Sequence, residues 1–407
     1  MNLSYSLVGA LGGDPSLRVL GPDNRGRVTV SRSGTAMAFT AADRPEPAPP
    51  DTPRFSGTAR RLLVEGRRVN LLRNPRGENS LQYWILPAMI SGAGTGTEDD
   101  LPYVDLACAF TGGSTAQNVT FEPNAFIPAT QGQAFTLSFY VRRMSGSAAG
   151  FTNLRMRFRE ANTGGGFLGD HWKDVAVASL PDMSQPPLRL SFTTTVLNAS
   201  TMFLTAGFRM DASAAGNMVL RISALQVEQA AFASSPVMPP AGAPASASRE
   251  ADMPLWSPPG GFGSQGTVVV KAMLPQLAPF GASQGLWQID DGTDQNRLQL
   301  RNTSAGAAIT GVVEAGGTTL ATLSAGNMTP GVPFRAAFTW AEGSQALCLG
   351  GGAVQVASAA LPPGLIRMLV GHASTQLNRA AFGEIELVDY RPTRVSDGML
   401  QALANAL

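Results

Sequence analysis

Between residues 74 and 233, short apolar runs alternate with Gly, Ser, Asn and Pro, and no segment keeps a helical apolar period for three turns. Runs at 135–141, 154–158, 188–192, 202–208 and 218–227 predict strands. In two of them, 154–158 and 188–192, apolar and polar residues alternate strictly. A period of two puts the apolar side chains on one face and the polar ones on the other, the pattern of an antiparallel sheet that covers a core. A second series of runs follows at 266–274, 285–289, 297–301, 309–313, 334–340, 345–349, 366–370 and 381–390. The chain therefore reads as all-β, with two antiparallel sandwiches in succession. One short helix is expected at the end. Ser396 suits its N-cap, Asp397 its first turn, and Leu400, Leu403 and Leu407 share a face.

The first 53 residues hold only two short strand signals, at 3–8 and 27–31, before five prolines crowd into 45–53. Such a segment predicts an extended, semi-rigid attachment arm whose core a partner surface completes. Arg54, Arg60, Arg61, Arg67, Arg68, Arg73 and Arg76 follow, with Glu65 as the acid among them. The alternation around Gly66 predicts a hairpin. Its arginines are either a solvated face or a docking segment for an acidic or polar partner, and as the second they are the candidates for particle attachment. Composition marks 237–253 as a linker, rich in Pro, Ala and Ser. The expected division is thus an arm with its hairpin (1–73), a first sandwich (74–236), a linker (237–253) and a second sandwich (254–407).

Composition agrees with a turn-rich β protein. Charged residues make up 14% of the 407, against roughly 25% in an ordinary domain, and there are 45 Gly and 29 Pro. The net charge of +1 gives no field that would gather nucleic acid or an anionic membrane. Two cysteines, Cys108 and Cys348, make neither a disulfide framework nor a zinc cluster. The first residues lack a basic region and a sustained apolar run, and no run approaches a membrane span, so synthesis in the cytoplasm without membrane insertion is the expectation.

Two enzyme-like motifs fail on their context. Gly261-Phe-Gly-Ser-Gln-Gly266 runs into a strand, whereas a dinucleotide site needs a helix there. Gly281-Ala-Ser-Gln-Gly285 is likewise followed by a strand, not by the helix of a nucleophile elbow. Asp290-Asp-Gly-Thr-Asp294 fits a hairpin turn better than a calcium site, because the full spacing of a calcium loop is missing. No catalytic residue, metal ligand or cofactor is therefore assigned, with calcium at that turn as the alternative. Sugar binding has a candidate in Gly164-Gly-Gly-Phe-Leu-Gly-Asp-His-Trp-Lys173, read as a loop that brings Asp170, His171, Trp172 and Lys173 together. There the ring offers an apolar face and its neighbours offer partners for hydroxyls. Trp287 with Asp290 is the second candidate.

Some segments also resemble known families. Arg61-Leu-Leu-Val-Glu-Gly-Arg-Arg-Val-Asn-Leu-Leu-Arg-Asn74 is similar to a segment that precedes a jelly roll in phage fibre and spike proteins. Ile222-Ser-Ala-Leu-Gln-Val-Glu-Gln-Ala-Ala-Phe-Ala-Ser-Ser-Pro236 resembles the end of that module, and 135–143 resembles a strand of carbohydrate-binding jelly rolls. The Phe338-Thr-Trp340 strand and the stretch 385–403 resemble concanavalin-like, laminin-G-like sandwiches. These resemblances imply a non-enzymatic head spike or fibre subunit of a phage or gene transfer agent. Its partners would be capsid or tail proteins and host surface polysaccharide, its state a homo-oligomer, and its location the virion. A glycan-active enzyme, or the accessory module of one, is the alternative.

Overall fold

The computed structural model describes residues 17–20, 27–113, 115–123, 126–279, 281–303 and 306–405. The strand expected at 3–8 and the helical Leu407 lie outside the described residues. The chain is all-β, its named strand pairs are antiparallel, and one short helix, Asp397–Asn405, stands near the C-terminal end. The Ser396 hydroxyl accepts a hydrogen bond from the Met399 N–H at 3.3 Å, which is the expected cap. Leu400 and Ala404 are buried in a small cluster with Val269, Ala337 and Cys348.

The chain forms two compact units, and the division differs from the one the composition predicts. One unit is continuous, 68–249; the other combines 1–67 with 250–407. The stretch 1–67 is therefore no independent arm. Leu17–Leu20 and Arg61–Val64 both pair with Gly383–Arg391, and Thr29–Ser31 pairs with Met253–Trp256. The surface that completes the N-terminal strands belongs to the same chain. The expected hairpin around Gly66 is absent too, because Arg68–Asn70 pairs with Ala247–Arg249 rather than with Arg61–Val64. Nor is 237–253 a free linker. It carries the Ala247–Arg249 strand and the buried side chains Val237, Arg249 and Asp252.

The divided unit is a sandwich of an eight-stranded and a seven-stranded sheet. Its core holds Leu62, Val64, Val268, Val270, Trp287, Ile289, Phe338 and Trp340. The continuous unit packs two five-stranded sheets. One runs in the order Leu188–Thr195, Ala134–Gly146, Gly216–Glu228, Leu101–Phe110, Ile90–Glu98. The other is built from β1 (Thr115–Thr120), β2 (Phe151–Ala161), β3 (Phe167–Ala176) and β4 (Phe203–Ala212), in the order β1-β4-β2-β3, with Ile127–Pro128 also on β4.

Alternation fixes which way this second sheet faces. Leu154, Met156 and Phe158 of β2 and Leu204, Ala206, Phe208 and Met210 of β4 are fully buried in the core. Each large side chain of that set contributes about 1.5–3 kcal/mol by leaving water. A one-residue slip would turn all of them outward and is strongly disfavoured. The residues between them are thereby committed to the opposite face, and that face carries the candidate site.

Candidate functional site

Cross-strand register assembles the outer face in three rows. Asp174, Arg155, Arg209 and Asn118 form the first, Trp172, Arg157, Gly207 and Thr120 the second, and Asp170, Arg159 and Thr205 the third. Gly207 sits in the middle for a steric reason. A Cβ there would lie 2.1 Å from the Val119 carbonyl oxygen, because β1 and β4 approach closely. With no side chain at 207, Arg157 extends past that position to β1, where its two terminal nitrogens donate to Asn118 Oδ1 and Thr120 Oγ1, each at 3.0 Å.

Trp172 lies among guanidinium groups. The carbons at the centres of Arg155, Arg157 and Arg209 stand 5.1, 5.7 and 5.0 Å from its ring centroid, within cation–π range. The ring is partly exposed. A second ring, Phe167, is 61% exposed and lies 4.8 Å from Arg159. The register shift between Glu160 and Ala161 is the irregularity at the Phe167 end of the strand pair.

Three of the four arginines of the face hydrogen-bond a carboxylate, Arg155 also standing 4.0 Å from Asp211, and one arginine does not. Arg159 holds Asp170 through two hydrogen bonds of 3.0 and 3.1 Å, Arg209 holds Asp211 at 2.6 and 3.0 Å, and Arg155 holds Asp174 at 2.6 Å. Arg157 has no carboxylate at hydrogen-bond distance among the described residues, only the neutral oxygens of Asn118 and Thr120. It is 3% exposed, and its Nε has no hydrogen-bond partner there. Burial lowers its pKa to about 10, with the charges of Arg159 and Arg209 adding to the effect and Asp170 opposing it. It stays protonated at neutral pH.

The segment with Trp172 is a strand, not a loop, and this separates the four residues expected to converge. Asp170 and Trp172 point outward, whereas His171 and Lys173 belong to the opposite face. His171 Nε2 donates to Glu160 Oε1 at 2.6 Å. Glu160 also accepts from the Leu197 and Asn198 N–H groups and the Thr201 hydroxyl. Burial opposes the Glu160 charge, but these hydrogen bonds outweigh it and hold the carboxyl below its ordinary range. His171 thus braces the 197–201 turn. Lys173 Nζ donates to the Ser191 carbonyl at 2.7 Å.

The second candidate is not a surface at all. Trp287 is fully buried and meets Phe338 edge-on, so no ring face is open to a sugar. Asp290 is fully buried and accepts from Arg367 at 2.7 Å, from Gln288 and from the Gly292 N–H. Asp291 and Asp294 accept from Thr293, Asn296, Gln288, Ser374 and Thr375, so the turn's carboxylates are engaged by protein donors.

The seven arginines of 54–76 do not form an open basic patch. Arg54 is buried against Glu65 and Asp252, and Arg60 approaches Glu46 at 3.7 Å. Arg61 pairs with Glu384 and Glu386, and Arg67 with Glu250. Arg68 pairs with Glu228, Arg73 with Glu122, and Arg76 with Glu78. Apart from Glu65, these acids lie outside the arginine run's interior, where composition alone had set seven cations against a single acid.

No family model matches the chain, and no curated protein matches it. Solved structures do. The carbohydrate-binding module CBM40 of the Ruminococcus gnavus IT-sialidase, bound to α2,3-sialyllactose, is 20% identical, covers 35% of this chain and 83% of its own, and gives a TM-score of 0.30. Sheep galectin-11 is 22% identical over 33% of this chain and 95% of its own, with a TM-score of 0.22. Domains LG4-5 of the mouse laminin α1 chain are 11% identical over 68% of this chain and 88% of their own, with a TM-score of 0.26.

Sequence reading named Trp172 and Asp170 but missed Arg155, Arg157, Arg159, Arg209 and Phe167. The signal available was the polar half of the 154–158 alternation. It marks an outward face without saying which strands lie beside it.

Proposed function

We propose that this chain is a non-enzymatic carbohydrate-binding protein of a phage or gene-transfer-agent appendage, and that the outer face of the β1-β4-β2-β3 sheet is its glycan surface. The observation that carries the reading is Trp172, a partly exposed ring on the edge strand of this sheet, flanked by the guanidinium groups of Arg155 and Arg209. A sugar ring stacks its C–H face on an indole, and flanking guanidinium and carboxylate groups bond its hydroxyls. Catalysis is disfavoured at this face. Glycosidic cleavage needs one carboxyl that gives up a proton and a second that attacks or activates water. Asp170, Asp174 and Asp211 are each held by an arginine instead. The appendage assignment rests on the resemblance of 61–74 and 222–236 to segments that bound the jelly roll of fibre and spike proteins.

Binding of the full chain to a saccharide array, beside Trp172→Ala, tests the surface. Loss of a central aromatic contact lowers affinity by roughly tenfold or more. Undiminished binding by Trp172→Ala overturns the assignment of this face. Mass spectrometry of purified particles tests the appendage role, with the chain expected among the virion proteins.

A further inference from the structure

The charge remainder on this face says which glycans it suits. Four guanidiniums, those of Arg155, Arg157, Arg159 and Arg209, face three carboxylates, and each carboxylate is hydrogen-bonded to a different arginine of the four, with Arg155 also 4.0 Å from Asp211. Among the described residues Arg157 alone of the four is left with neutral acceptors. A buried cation normally draws in a carboxylate of its own, because low-dielectric surroundings penalise an isolated charge. Here the excess charge stands 5.7 Å from the centre of the ring on which a ligand would stack. Arg155 and Arg209, about a quarter exposed, flank the same ring. Arg155 donates to Asp174 through Nε, and its Nη1 stands 4.0 Å from Asp211, beyond hydrogen-bond distance, so its terminal nitrogens can meet a ligand oxygen.

Building on the proposed glycan surface, we propose that its ligand is an acidic saccharide, with an anionic group of the sugar seated beside Trp172 between Arg155 and Arg209. The field of Arg157 supplies the preference for charge. Arg157 is a specificity-determining residue in this scheme, acting beneath the ring, while Arg155 and Arg209 make the contact. A neutral sugar stacks on the same ring but leaves the excess charge uncompensated.

The test compares polygalacturonate, alginate and hyaluronan with their carboxyl-reduced counterparts, and dextran sulfate with dextran, on the full chain. At low salt the acidic polymers are expected to bind about tenfold more tightly than the neutral ones, an advantage that shrinks as salt rises to 0.5 M. The sulfated arm separates sulfate from carboxylate recognition. Arg157→Met is expected to remove most of that advantage. Arg157→Lys, which keeps the charge, is expected to retain it, and this variant serves if the methionine variant does not fold. Equal binding of acidic and neutral polymers overturns the inference, as does a preference that survives Arg157→Met in folded protein. The outcomes are separable from those of the preceding section. Trp172→Ala lowers binding of both classes if the surface is right, whatever the charge preference, and an unchanged Trp172→Ala overturns the surface itself.

Discussion

Both units bury arginines, and two of them, Arg54 and Arg157, are handled in opposite ways. In the divided unit Arg54 donates to Asp252, Glu65 and the Met37 carbonyl, and the neighbouring Arg32 donates to the same Asp252. Burial works against the Arg54 charge, yet the two carboxylates outweigh it and raise its pKa above the ordinary value. In the continuous unit Arg157 is as deeply buried but has neutral acceptors, and its pKa falls. The difference separates two uses of one side chain. Where carboxylates close around an arginine it ties segments together, here the stretch near 54 with the one near 252. Where they do not, the charge remains effective at the surface above it.

The largest effect is expected from removing the tied cation. Arg54→Met leaves Asp252 and Glu65 buried with one counter-charge fewer and should cost about 3–5 kcal/mol in chemical denaturation. A loss below about 1 kcal/mol would break the comparison at once. Next is pH. His372, fully buried beside the same cluster, donates Nε2–H to the Asp252 carbonyl at 2.6 Å, and burial lowers its pKa from 6.5 to about 4. Between those values the unfolded chain binds a proton that the folded one refuses, so stability is complete above pH 6.5 and falls as pH drops toward 4. The loss is roughly 3 kcal/mol over the window. Comparing the pH slope of wild type with that of His372→Gln isolates it from the carboxylates, and equal slopes would remove His372 from the account.

A smaller effect is expected in the middle of the outer β1-β4-β2-β3 face. Gly207→Ala sets a methyl against the Val119 carbonyl and should cost about 1–3 kcal/mol, measured as the unfolding midpoint of residues 68–249. The smallest is Arg157→Met, which removes a charge that no carboxylate depends on and should change stability by no more than about 1 kcal/mol in either direction. A loss as large as that of Arg54→Met would mean that the two arginines do the same work.

The legible part of the fold was the alternation. Leu154, Met156 and Phe158 against Arg155 and Arg157 announce a half-buried strand, and the sandwich class follows from many such runs. Strands buried on both faces gave no such signal. Every residue of Gln284–Asp290 is buried, the polar Gln284, Gln288 and Asp290 included, so polar neighbours of Trp287 did not mark an exposed face. Phe167–Ala176 failed for the opposite reason. Polar residues occupy both of its phases and three glycines precede it, so it read as a loop although Trp172 was picked out correctly as a residue. The arginine face depended on register between β2, β3 and β4, and pairing across 11 to 19 residues to β3 and 46 to 54 residues to β4 leaves no local mark. The same holds for Leu17–Leu20 and Arg61–Val64, whose partner strand Gly383–Arg391 lies more than 300 positions away.

That last pairing sets an order of assembly. Residues 68–249 contain all the strands of their own two sheets, and their two ends, Arg68–Asn70 and Ala247–Arg249, are zipped to each other. This unit can close as soon as its last strand has been made. The other cannot. Arg61 must find Glu386, 325 positions later, and Leu62 and Val64 have no complete sheet until Gly383–Arg391 arrives. During synthesis Leu17–Leu20 and Arg61–Val64 wait without Gly383–Arg391 while the 68–249 sandwich is completed. Non-local closure of this kind is slow and exposes sticky edges. Truncation ahead of residue 383 should therefore release a folded 68–249 unit on an unfolded tether, making the Gly383–Arg391 strand the step that commits the whole chain.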